Sequence, residues 1–223
     1  MPAWTADGTR ILYSLRKPGA SGLYWKLADG TGPEERMTTS TFSAGAASAS
    51  RDALAYENRS VGDIWTLPFQ GAPKPAPFVQ TPFHEGSPRF SPDGHWLAFD
   101  SNETGRTEIY VQPYPGPGGK VLVSTDGGSE PIWAHSGREL FYRHGEKMMV
   151  LDIQTQPLLK NGPPRMLFER KAFPDGSRQW DVAPDDQHFL IVRASEQAES
   201  GLLHINIVQN WFEELKRLAP VKK

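Results

Sequence analysis

The chain has 223 residues, enough for one or two domains, with a formal net charge of −2 from 24 Lys and Arg against 26 Asp and Glu. No Lys/Arg stripe is dense enough to neutralise a row of phosphates, which argues against a nucleic-acid partner, and no stretch approaches the roughly 18 uninterrupted apolar residues of a membrane span. With 21 Gly and 20 Pro the sequence is a poor helix former; 11% aromatic residues favour short strands, and zero Cys excludes disulfides and thiolate metal sites.

The strands are predicted in five copies of one unit. The first, about residues 1–40, opens on Trp4, turns at Asp7-Gly8, returns through Ile11 and Tyr13, and adds Leu23-Tyr24-Trp25 and Arg36-Met37-Thr38. The second, about 41–83, carries Ala47, a degenerate turn at Ser50-Arg51-Asp52, then Leu54, Tyr56, Ile64-Trp65-Thr66 and Phe78-Val79. A glycine at Arg51 would be expected to improve that turn. The third, about 84–126, is the clearest: Phe90-Ser91-Pro92-Asp93-Gly94 leads into Leu97-Ala98-Phe99, then Ile109-Tyr110-Val111 and Val121-Leu122-Val123. Pro pre-sets φ, the Asp carboxylate accepts a local backbone N–H, and Gly takes positive φ without steric cost. The fourth, about 127–170, repeats this with Trp133, Ser136-Gly137, Leu140, Tyr142, Met149-Val150-Leu151 and Met166-Leu167-Phe168.

Three columns hold the copies together. Trp4, Ala47, Phe90 and Trp133 stand 43 residues apart, as do Ile11, Leu54, Leu97 and Leu140, and Tyr13, Tyr56, Phe99 and Tyr142. The fifth copy, about 171–209, follows an insertion, with Val182 and Ile191 each 49 beyond their predecessors, a turn at Asp185-Asp186 and a strand at 203–207. The chain then runs into 210–218, read as a short helix: Asn210 caps it, Glu213 stands three residues on, and Trp211, Leu215 and Leu218 share a face. Four antiparallel strands repeated every 40 to 50 residues or so are the signature of β-propeller blades. The expected fold is therefore all-β, a single propeller domain over 1–223. Because Met1 begins almost on an inner strand, two readings stand: a five-bladed ring whose last blade has three strands with its edge under the C-terminal helix, or a fragment of a larger ring.

The recurring S-P-D-G-x-x-L-A-F/Y pattern resembles the repeat of TolB-like, WD-repeat-like propellers. The run from Ser91 to Gln112, the segment Pro113-Tyr114-Pro115-Gly116-Pro117-Gly118-Gly119-Lys120, Ser124 to Pro131, and the ending Asn210-Trp211-Phe212-Glu213-Glu214-Leu215-Lys216 are similar to the C-terminal propeller region of bacterial membrane-anchored serine/threonine protein kinases. That resemblance covers roughly 84–218 well and the first two copies loosely. It brings no Gly-rich loop, V-A-I-K, H-R-D or D-F-G, so a member would contribute a sensing or scaffolding half alone. Read as complete, with a start that lacks a signal sequence, the chain is expected in the cytoplasm; read as part of such a kinase, it is expected outside.

The repeated Asp7, Asp52, Asp93 and Asp185 read as turn chemistry, since repeats set them on successive blades instead of converging them. His84, His95, His135, His144, His188 and His204 show no metal-binding spacing, and neither catalytic, metal nor cofactor residues are assigned. His84 and His135 flank inner strands, where an axial ligand role is open. The function expected is a non-catalytic interaction module binding a protein or peptide, without direct membrane insertion and with its oligomeric state open. Candidate contacts near the axis are His84, Glu85, Ser129, Glu130, Arg178 and Gln179. The alternative is a propeller hydrolase or lyase acting on a sugar or lactone, its site in the axial funnel.

Overall fold

The computed structural model describes residues 2–15, 17–38, 44–70, 74–169 and 180–192, which lie in one compact unit, Met1–Val192. They form five antiparallel sheets. The first holds β1 (Ala3–Trp4), β2 (Arg10–Leu15), β3 (Gly22–Leu27) and β4 (Glu35–Arg36) in chain order; the second holds β5 (Ala44–Ala49), β6 (Ala53–Asn58), β7 (Asp63–Pro68) and β8 (Ala76–Val79). The third holds β9 (Glu85–Phe90), β10 (Trp96–Ser101), β11 (Glu108–Pro113) and β12 (Val121–Leu122). In the fourth, β13 (Ser129–Trp133), β14 (Glu139–His144) and β15 (Lys147–Gln154) are followed by β16 (Lys160–Asn161) and β17 (Arg165–Glu169), which both pair with β15. The fifth shows β18 (Trp180–Val182) and β19 (Phe189–Ile191). Among the described residues there is no helix. The predicted strand at 203–207 and helix at 210–218 lie outside the described residues.

Each core is shared by two consecutive sheets. Leu12 and Leu23 of the first sheet meet Leu54, Tyr56 and Leu67 of the second, and Ala55 and Ile64 of the second meet Leu97, Phe99 and Tyr110 of the third. Ala98 and Val111 of the third meet Trp133, Leu140 and Tyr142 of the fourth, and Phe141 and Val150 of the fourth meet Trp180 and Val182 of the fifth. Each inner sheet is thus covered on both faces, which is why its strands read as near-continuous apolar runs instead of alternating ones: all six residues of β6 are buried. Sheets stacked face to face around their first strands, with a shared core at every junction, are the blades of a β-propeller.

The columns map onto this stacking with one correction. Trp4 pairs Ile11, Phe90 pairs Leu97 and Trp133 pairs Leu140, but Leu54 pairs Ala49 and not Ala47. The cause is the turn. In the third sheet the N–H of Ser91 bonds the carbonyl of Trp96, five residues on, and Thr5, Ala134 and Ala183 make the same span; in the second sheet Ser50 bonds Ala53, only three on. Two residues are missing there, so β5 slides by two. A slip of two leaves every side chain on its own face, so the apolar pattern survives the shortening. Arg51 is absent from the residues with positive φ, whereas Gly8, Gly94 and Gly137 occupy that region at +68°, +74° and +68°. A glycine at Arg51 would therefore meet no backbone need, contrary to the expectation from sequence.

Candidate functional site

The first strands of the sheets run in one direction: the start of β13 touches the start of β9's sheet through the Glu130 N–H donated to Asp100 Oδ2 (2.9 Å), and its end touches the end of β9 through Trp133 Nε1 donated to the Arg89 carbonyl (3.1 Å). Functional groups near the axis therefore divide into two sets, one where these strands start and one where they turn. His84 belongs to the first and His135 to the second, so they sit at opposite ends and cannot share a ligand.

At the strand starts, His84 is exposed, its Nε2 3.7 Å from Glu57 Oε1, and its backbone N–H donates to Asn102 Oδ1 (2.9 Å). Glu85 is fully buried and turned into its own sheet, where Oε1 accepts from Thr81 Oγ1 (2.5 Å) and Ser101 Oγ (3.3 Å). Ser129 pairs Arg143 in the ladder, and beyond it β13 bulges, with Glu130 at φ +56° and its counterpart Ser87 in β9 at +51°. Such bulges re-aim a side chain. Here the Glu130 carboxylate meets Arg143 Nη1 (3.3 Å) and accepts from Trp180 Nε1 of the fifth sheet (2.9 Å). Asp100 is buried beside it, and burial raises its carboxyl above the ordinary range. The structure brings His84, Ser129 and Glu130 to one end, removes Glu85 from the surface, and leaves Arg178 and Gln179 outside the described residues.

At the turn end lies a cavity of about 660 Å³ to which every described sheet contributes: Ala6, Arg51, Arg89, Trp133 and Asp181 come from the first to the fifth in order. The turns themselves are built as the sequence predicted at three of the four Asp positions. Asp7 Oδ1 accepts from the Thr9 N–H (3.0 Å), Asp93 Oδ1 from the His95 N–H (3.0 Å) and Asp185 Oδ1 from the Gln187 N–H (2.9 Å). Bonds from the Thr5 and Thr9 hydroxyls and the Thr9 N–H hold the Asp7 carboxyl down at about 2. In the shortened turn the Ser50 hydroxyl accepts from the N–H of Ala53 (3.1 Å), as the Thr5 and Ser91 hydroxyls accept from the N–H groups of Arg10 and Trp96 (3.0 Å each). Asp186 bridges sheets instead, accepting from the N–H groups of His135 (2.7 Å) and Ser136 (3.0 Å). Burial acts upward on its carboxyl, but these backbone donors outweigh it and the net shift is downward.

Arg89 and Asp181 of this cavity were not among the sequence candidates. They had a signal: both stand immediately before a member of the Trp4 column, where the first and fourth copies carry Ala3 and Ile132. A charge in an otherwise apolar column marks a side chain facing something other than a neighbouring sheet. Among the described residues no three His, Asp or Glu side chains converge to hold a metal ion, and no helix is long and apolar enough to cross a membrane.

Comparison by sequence finds no relative: no family model and no curated protein matches the chain. Comparison by structure confirms the β-propeller class. Within that class the fold is TolB-like: it is similar to TolB from Acinetobacter baumannii, with TM-score 0.61 at 20% identity over 75% of this chain and 43% of that one. It is also similar to an oligogalacturonate lyase in complex with manganese (TM-score 0.62, 13% identity, 86% of this chain and 60% of the lyase). A chain of a nidogen/laminin complex matches at TM-score 0.56 and 9% identity over 68% of this chain and 59% of its own length. The chain spans less than two thirds of each of these proteins.

Proposed function

We propose that this propeller is a non-catalytic binding module that takes a protein or peptide segment at the turn end of its axis. One observation carries the reading: a single cavity is lined by residues of first strands and their turns from all described sheets, with basic groups (Arg51, Arg89) and acidic groups (Asp52, Asp93, Asp181) interspersed beside Trp133 and Phe90. Mixed charge beside buried aromatics suits recognition of a polypeptide, and loops carried by a rigid sheet stack are where binding residues concentrate. The resemblance of residues 84–218 to kinase-borne propellers supports a sensing role on behalf of a kinase.

The test is a selection of displayed random peptides on the immobilised protein, followed by titration of the enriched sequences. Enrichment of a common motif, with affinity lost in His95→Ala and Asp181→Ala, is the expected result; peptides indifferent to both substitutions would place binding elsewhere. In parallel, the protein is incubated with oligogalacturonate and manganese. Formation of unsaturated product would replace this reading with a lyase.

A further inference from the structure

Arg89 is the last residue but one of β9, paired with Ala98, and it lines the axial cavity. Nη1 donates to the Ala47 carbonyl of the second sheet (3.1 Å). Nε is withdrawn from solvent and has no hydrogen-bond partner, and among the described residues no carboxylate lies within ion-pair distance of the group. The acids that act on it do so from further off: Glu130 is engaged by Arg143 and Trp180, and Asp181 Oδ1 accepts its neighbour Val182's N–H (3.0 Å). Packing does not call for a cation here, since Ala3 and Ile132 fill the corresponding places. A part-buried guanidinium with no ion-pair partner among the described residues carries positive charge that is costly unless offset, and an anion held by its remaining Nη N–H groups would offset it.

The surroundings select the anion. The rim carries Asp52, Asp93 and Asp181, which would repel a doubly charged phosphate more strongly than a singly charged group. A planar carboxylate matches the guanidinium fork in shape and charge. Trp133, Phe90 and Ile132, 5%, 7% and 7% exposed, also line the cavity, so what adjoins the carboxylate meets the narrow apolar margin that these core residues leave open. We propose that the axial cavity is a carboxylate-binding site in which Arg89 is the anchoring residue, its ligand a peptide that presents a carboxylate next to an apolar side chain. This rests on the peptide-binding reading above and specifies its ligand. The carboxylate can be a chain terminus or an acidic side chain.

Calorimetric titration with three probes decides it: acetyl-Leu-Leu as the free acid, the same peptide as its C-terminal amide, and acetyl-Asp-Leu amide. One of the two carboxylate probes is expected to bind about tenfold or more tightly than acetyl-Leu-Leu amide, and which one does so identifies the source. Arg89→Met should abolish that preference and Arg89→Lys should reduce it. Since the wild-type comparison of acid with amide needs no variant, a variant that fails to fold leaves the test intact. Melting curves add a second readout: acetate should raise the wild-type melting temperature and leave that of Arg89→Met unmoved. If acid and amide bind alike, or only the amide binds, the carboxylate assignment falls while peptide binding stands. If none of the three binds but selected peptides do, the carboxylate assignment again falls; if those fail too, both readings fall.

Discussion

Trp133 and Trp4 occupy the same place in their sheets, each on a first strand and each paired with the corresponding aliphatic residue of the second. Trp133 is 5% exposed and Trp4 58%. The difference lies in what stands in front of them. Trp133 packs on the third sheet and donates its indole N–H to the Arg89 carbonyl, whereas among the described residues no sheet packs over Trp4. The fifth sheet, the last among the described residues, shows the converse: Phe141 is 2% exposed, while Leu190, its counterpart there, is 71% exposed. A blade's core is therefore not a property of the blade. The same residue in the same strand is core or surface according to its neighbour, as expected of a repeat whose stability is a sum over interfaces.

The sharpest way to break this contrast is truncation. Trp133→Ala is expected to cost about 3–5 kcal/mol by denaturant unfolding, the range for a buried aromatic, whereas Trp4→Ala should stay within about 0.5 kcal/mol as an exposed substitution. Equal losses would mean that both faces are covered in solution. The turns offer a second contrast. Gly94→Ala forces an L side chain to φ +74° with its Cβ 3.3 Å from Ser50 Cβ, and should lower stability by about 1–2 kcal/mol. Arg51→Gly, in the shortened turn without positive φ, should lower it by about 0.5–1 kcal/mol through unfolded-state entropy alone; a gain would show that the second turn shares the geometry of the third.

The fourth and fifth sheets are joined by polar as well as apolar contacts, and pH separates the two. Because the folded Asp186 carboxyl titrates below its unfolded value, its contribution is complete above the unfolded carboxylate range near about 4 and fades as pH falls through the folded value. Asp186→Asn, which tolerates the left-handed backbone at φ +58°, should cost about 1 kcal/mol at neutral pH. The loss should vanish in acid. A pH-independent loss would assign the effect to packing.

Much of this was legible before any coordinates. The spacing of 43 fell on paired strands because every interface repeats one packing problem, and Asp-Gly turns are local enough to be read from three or four residues. Even the shortened turn was visible as a missing glycine, although its effect was not: the two-residue slip of β5 depends on a ladder with β6 that no local signal specifies. The site was less legible. His84 and His135 look alike as residues flanking inner strands, and only strand direction puts them at opposite ends. Glu85 looks like an axial carboxylate until its side chain is seen to be buried and bonded to Thr81 and Ser101.

The amino-acid sequence by itself determined the repeat, the strands, the turns and the apolar character of each face, because these follow from periodicity and short-range backbone chemistry. Tertiary structure alone decided which faces become core and which polar groups converge at the axis. Burial and convergence belong to pairs of sheets, and the residues that line one cavity there, such as Arg89 and Asp181, are 92 positions apart.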